Sequence, residues 1–215
     1  MSDDKVTPTD HTARLGDHLS RVAATFGFRS YAPLWNHPDN RVLRTRRANP
    51  NILAEGDSIH VPELIDQEVD RPTEQRHRFR AELHPLEVRI SLRQWTGTPR
   101  TDEVTEVLLD GRPGPFTVVG PGVIAIPVGV LTDRVVVTTA AGELVGRVGF
   151  LQPVDTPAGQ RERLTNLGYQ AGDSADPRQL DFRSAVEEFQ CDHGLVVDGV
   201  VGPVTRGKLV AVHGS

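Results

Sequence analysis

Phe182-Arg183-Ser184-Ala185-Val186-Glu187-Glu188-Phe189-Gln190 and, after Cys191-Asp192-His193, Gly194-Leu195-Val196-Val197-Asp198-Gly199-Val200-Val201-Gly202-Pro203 decide how this chain is read. Phe182, Ala185, Val186 and Phe189 fall at i, i+3, i+4 and i+7, which is one buried helical face, and Gly194 stops that helix. Asp198-Gly199 reads as a turn. Gly202-Pro203 opens another helix with proline at its first position, where the missing N–H is no loss. Upstream, Leu164, Leu167 and Tyr169 form the apolar stripe of a helix that stops at Gly168. Three short helices with a glycine-rich hairpin between the last two predict a compact all-α unit over residues 153–215.

The same residues carry a family pattern: Leu164-x-x-Leu167-Gly168-Tyr169, Ala185-Val186-x-x-Phe189-Gln190, Gly194-Leu195-x-x-Asp198-Gly199-x-x-Gly202-Pro203-x-Thr205, and Leu209. It resembles the peptidoglycan-binding domain appended to many bacterial wall hydrolases. Gly207 departs from it, standing where a helix former is normal, at about 1 kcal/mol in an exposed helix interior. Residues 171–178 also lack the family's usual Asp-Gly turn. The resemblance implies a ligand groove beside Asp198, Gly199, Gly202 and Thr205. Read on their own, these four serve a turn, a close approach and a helix start.

At the other end, Leu19, Val22, Ala23 and Phe26 give a second amphipathic face, with Asp17 as the expected N-cap and Gly27 as the stop. Ser30 is the expected cap of a second short helix carrying Pro33, Leu34 and Trp35. The stretch closes with the turn Glu55-Gly56-Asp57 and the alternating strand Ser58-Ile59-His60-Val61-Pro62. The reading is a βααβ unit over residues 10–62, preceded by a disordered tail at 1–9. Gly16-Asp17-x-Leu19-Ser20-x-Val22-Ala23-x-x-Phe26-Gly27, then Leu34 and Asn36, then Asn51-x-Leu53-x-x-Gly56-Asp57-x-Ile59-x-Val61-Pro62 resemble a LysM module. His18 stands where that family prefers Thr or Ser, the opening Asp10-His11-Thr12-Ala13 lacks the usual aromatic, and residues 37–47 read as an insertion. The resemblance implies a glycan groove between two loops, one holding Gly16, Asp17 and His18, the other Asn51, Leu53, Glu55 and Gly56. Tyr31 is the expected stacking aromatic, with Trp35 in or near the core. Arg41, Arg44, Arg46 and Arg47 either meet acidic groups of wall peptides or form a solvated charged face.

Between these ends, residues 63–75 read as an acidic linker containing Pro72, and residues 76–152 as β throughout. Phe79, Ala81 and Leu83 alternate with polar residues, as do Val88, Ile90 and Leu92. Further short strands are read at Ile124 to Val128, Val135 to Val137 and Val145 to Val148, with turns at Asp110-Gly111, Gly120-Pro121-Gly122 and Ala141-Gly142. The expected fold is α+β and multi-domain: a LysM-like module, a small antiparallel β-sandwich and a three-helix module.

Charge narrows the function. Residues 10–62 carry seven Arg against five acids, residues 63–152 ten against thirteen, and residues 153–215 six basic groups against nine. None has the basic footprint that duplex nucleic acid demands, so nucleic acid is not an expected partner. The opening Met1-Ser2-Asp3-Asp4-Lys5 has no apolar segment of the kind a secretion signal needs, and no run is long enough to span a bilayer. The expectation is cytoplasmic synthesis, with one cysteine, Cys191, and no intramolecular disulfide. The eight histidines show no HExxH or paired ligand spacing, so no metal, cofactor or catalytic residue is expected. Cys191-Asp192-His193 ends a helix, where adjacent side chains point apart. The composite reading is a non-catalytic protein that binds peptidoglycan. The arrangement also resembles proteins of contractile injection and secretion systems, in which similar modules serve as baseplate or spike adaptors. A structural assembly protein without glycan affinity and a wall hydrolase are the alternatives.

Overall fold

The computed structural model describes residues 7–64, 74–76, 86–92, 99–100, 104–174 and 176–215. Strand β1 (Thr9–Thr12) pairs antiparallel with β2 (Ser58–Val61). Strand β1 thus begins inside the stretch expected to be a disordered tail. Between the two strands lie α1 (Leu19–Thr25), α2 (Ala32–Asn36), a 3-10 turn (Pro38–Asn40) and α3 (Arg41–Arg46). Leu19, Val22, Ala23, Leu34, Leu43, Ile59 and Val61 make the core.

The βααβ expectation therefore lacks a helix, because residues 37–47 are built into the unit rather than inserted beside it. Arg44 donates to the backbone carbonyls of Trp35 and His37, satisfying the end of α2, and Leu43 is buried in the core. Arg47 grips Asp57 with two bonds of 2.7 and 3.0 Å, leaving only Arg41 and Arg46 of that arginine group exposed. Two caps also differ from expectation. His18, not Asp17, caps α1, its Nδ1 accepting from the Arg21 N–H, while Asp17 accepts from the Arg14 N–H and pairs with His11. Tyr31 rather than Ser30 stands at the N-cap of α2, and no side chain caps that helix.

The β unit holds β3 (Leu86–Ser91), β4 (Val104–Leu109), β5 (Arg112–Pro113), β6 (Thr117–Gly120), β7 (Val123–Val128), β8 (Arg134–Thr139) and β9 (Gly142–Arg147). They form two antiparallel sheets, β3-β7-β6 and β5-β4-β8-β9. Ile124 and Ile126 from one sheet meet Val107, Val135 and Val137 from the other in a single apolar cluster. Strands β4 and β6 went unread in the sequence because each carries a register shift, which breaks the alternation of inward and outward residues. The strand expected at Phe79, Ala81 and Leu83 lies outside the described residues, as does most of the linker at 63–75, although Leu64 packs on the N-terminal core.

At the C-terminal end, α4 (Pro157–Asn166), α5 (Leu180–Asp192) and α6 (Pro203–His213) pack around Leu164, Phe182, Ala185, Val186, Phe189 and Leu209. Thr156 Oγ1 caps α4 by accepting from the Gly159 N–H. No helix among the described residues is long and apolar enough to cross a membrane.

The units touch through a short connector after β9. Phe150 lies against Gly16, where an added Cβ would stand 2.8 Å from the ring, and the Arg147 guanidinium sits 3.5 Å over the same ring. Arg21 reaches Asp133 at 2.6 Å. Further on, the Gln152 carbonyl accepts from buried Arg163, and the Gln152 N–H donates to Glu162. Gly149 adopts φ +83°, and a Cβ there would meet the Gly16 carbonyl oxygen at 2.8 Å and His18 Cδ2 at 2.9 Å. Gly149→Ala is expected to lower the thermal midpoint through strain plus clash, together roughly 1–3 kcal/mol. Gly56→Ala, which has the strain without the clash, should cost less; equal losses in differential scanning calorimetry would show that the junction is not close-packed.

Candidate functional site

The C-terminal unit is organised by Gln190, whose side chain is fully buried on α5. Its carbonyl oxygen accepts from the N–H groups of Asp198 and Gly199, both at 3.0 Å. Its amide nitrogen lies 2.8 Å from Asp198 Oδ1, 3.0 Å from the Val200 carbonyl and 3.1 Å from Thr205 Oγ1. Asp198 Oδ1 also accepts from the Val200 N–H, and these bonds hold its carboxyl below the usual carboxylate range. Asp198, Gly199 and Thr205 thus shape the hairpin from within. Gly199 combines φ +70° with an approach that would put a Cβ 2.8 Å from Arg183 and Glu187. Gly202 has neither constraint: it is the N-cap of α6 at φ −71°, with open space where a Cβ would go.

The hairpin exposes valines alongside the carboxylate of Asp198. Val196 is 80% exposed and Val204 73%, with Val197 and Val200 also more than half exposed. Around the far end of α4, Thr165, Tyr169, Gly172, Asp173 and Asp181 line a polar groove of about 450 Å³. The Tyr169 hydroxyl donates to Asp192 at 3.0 Å; partial burial first, and that carboxylate second, push the phenol up to about 12. Cys191 is exposed and His193 packs its ring on Phe189, so the Cys191-Asp192-His193 run has three separate surroundings.

Residues 161–209 match the family model described as "Putative peptidoglycan binding domain". That span is similar to the family; it is less than half of the chain. No curated protein and no solved structure matches the chain. The matched span runs from within α4 into α6 and contains the whole of the Gln190 network and the valine-bearing hairpin.

In the N-terminal unit the expected groove residues are not all available to a ligand. His18 is 2% exposed, enclosed by Gly149 and the β unit, and its Nε2 has no hydrogen-bond partner. Burial, reinforced by Arg21, holds its pKa below the usual value. Gly16 is buried against Phe150, and Leu53 belongs to the core. Asn51 accepts from the Ser20 N–H and hydroxyl at the start of α1. Asp17 is tied to His11 and Arg14, which leaves Glu55 and Gly56 as the exposed members. Tyr31 and Trp35 are both half-buried against the core, so Tyr31 is not the freer aromatic.

Sequence spacing also missed a convergence on this unit: His37, Asp39 and His60 bring one potential ligand atom each to within 4.8 Å of one another. No HExxH-type pattern marks them, because two come from the turn after α2 and one from β2.

Two outcomes follow. Gln190→Leu strands the buried Gly199 N–H and frees the half-buried Asp198 N–H, so urea denaturation should show a loss of roughly 1–3 kcal/mol or more. His213 is held down to about 4 by burial and then by Arg163, against an ordinary 6.5. The unfolded chain therefore binds more protons between those values, and stability present above pH 6.5 is lost as pH falls towards 4. His213→Gln should flatten that limb in melts run across pH; an unchanged slope would mean another group sets it.

Proposed function

We propose that the chain binds peptidoglycan without cleaving it, and that the outer face of the 195–204 hairpin makes the contact. The observation that carries this reading is the family match over residues 161–209, which contains a hairpin that exposes Val196, Val197 and Val200 beside Asp198. Wall glycan offers acetamido methyl groups beside polar hydroxyls, and an apolar rim next to a polar groove suits both. The absence of catalysis is part of the proposal: Cys191, Asp192 and His193 have different partners, and a nucleophile needs its base within hydrogen-bond reach.

The likeness of residues 10–62 to a LysM module is retained as a proposal resting on its residue pattern and its β-helix-β layout. A second reading for that unit, as a structural adaptor without glycan affinity, is favoured by the packing of Gly16 and His18 against the β unit. Such a role accords with service as an accessory of a contractile injection or secretion machine, carried to the wall from the cytoplasm and docked on a spike or baseplate protein. The support is the module order alone.

Purified full-length protein should pellet with insoluble peptidoglycan at low and moderate salt. Val196→Asp together with Val204→Asp should reduce pelleting at least tenfold while leaving the circular dichroism spectrum unchanged. Soluble muropeptides should not accumulate on long incubation, with or without added zinc. Protein that stays in the supernatant defeats wall binding, and released fragments defeat the non-catalytic reading.

A further inference from the structure

We propose that His37, Asp39 and His60 form a binding site for one divalent transition-metal ion with the coordination preferences of zinc. Asp39 Oδ2 lies 3.7 Å from both His37 Nδ1 and His60 Nε2. Tetrahedral zinc with bonds of about 2.0–2.1 Å holds neighbouring ligand atoms about 3.3 Å apart. Both Asp39 distances fall within a few tenths of an ångström of that value, while the two histidine nitrogens, up to 4.8 Å apart, close by about 1.5 Å through ring rotation, with smaller shifts at Asp39. The Asp39 side chain, 64% exposed, is free to make them. The His37 Nδ1 lone pair is held only by a long 3.4 Å bond from the Asp39 N–H, which a metal bond would replace.

The second observation concerns orientation. His60 Nδ1 sits 3.0 Å from Asp10 Oδ1, across the β1–β2 pair. A carboxylate that takes the Nδ1 hydrogen leaves the Nε2 lone pair directed at Asp39, which is how outer carboxylates aim metal-binding imidazoles. The third is rigidity. Asn40, buried beside the cluster, accepts from the His60 N–H at 2.7 Å and donates to the His60 carbonyl at 2.7 Å and the Leu34 carbonyl at 2.8 Å. One amide thus locks the backbone of the 37–40 turn to β2, so closing on an ion takes side-chain rotation alone. The two imidazole rings are already packed, with centroids 4.8 Å apart.

Two imidazole nitrogens and one carboxylate oxygen select zinc-like ions over magnesium or calcium, which prefer oxygen. Three protein ligands leave a fourth position for water or an outside donor. That side borders a polar cleft of about 390 Å³ whose walls include Asp10, Asp39, Arg46, Ser58 and His60. A bound ion ties the 37–39 turn to β2 and, through Asp10, to β1, and so braces the N-terminal unit.

Metal-stripped full-length protein titrated with zinc chloride in a calorimeter should take up one equivalent and gain thermal stability that a chelator reverses. Cobalt(II) should give the visible absorption of a four-coordinate ion. His60→Gln and Asp39→Asn should each weaken zinc binding at least tenfold, and Asp10→Asn by about tenfold. His193→Gln, far from the cluster, should leave it unchanged. Asp39 is an exposed surface residue, so its variant reports on binding even where His60→Gln disturbs folding, which circular dichroism monitors. The proposal is overturned by the absence of saturable zinc uptake, by uptake equal in Asp39→Asn and wild type, or by magnesium competing at equal concentration.

Discussion

Buried side-chain amides hold the two outer units of this chain in shape. Units of this size bury too little apolar surface to be stable on that ground alone, and their loops carry backbone groups that need partners. Asn40 in the N-terminal unit and Gln190 in the C-terminal unit use both ends of a rigid planar group to meet that need. Each joins a helical segment to another element, Asn40 to β2 and Gln190 to the hairpin that follows its own helix. An aliphatic residue of equal volume would fill the space and leave the loop N–H groups stranded, at more free energy than its burial returns.

The position of the Gln190 amide also determines what the surface offers. Gly199 and Thr205 turn inward to it and Val201 packs on the core, while Val196, Val197, Val200 and Val204 are left exposed. An exposed apolar surface thus accompanies a hairpin whose backbone N–H groups are met from inside by Gln190. On the N-terminal unit the same logic runs through Asn40, which places His60 and the 37–39 turn side by side.

The connector from Gly149 to Asp155 couples the units. Gly149 and Phe150 cover the start of α1, Asp155 approaches Arg47 at 3.6 Å, and Gln152 engages Arg163 and Glu162 of α4. This closure takes His18 and Gly16 out of reach of any ligand. The hairpin of the C-terminal unit, by contrast, stays exposed.

Much of the fold was legible in the residues. The spacing of Phe182, Ala185, Val186 and Phe189, the stops at Gly168 and Gly194, and the start at Pro203 are local signals, and local hydrogen bonding alone makes them read as helices. The strand Ser58–Val61 was legible too, since alternation at Ile59 and Val61 marks one buried face. Where local pattern broke, reading failed: register shifts hid β4 and β6, and α3 hid in a run of arginines whose inward partners are backbone carbonyls and Asp57. The candidate sites were less legible still. His18 reads as a loop residue until Gly149 closes over it, and nothing in their separation along the chain brings His37 near His60. Periodicity reports which face of one element is buried. Only the packing of elements decides what buries it, and which distant side chains meet as a result.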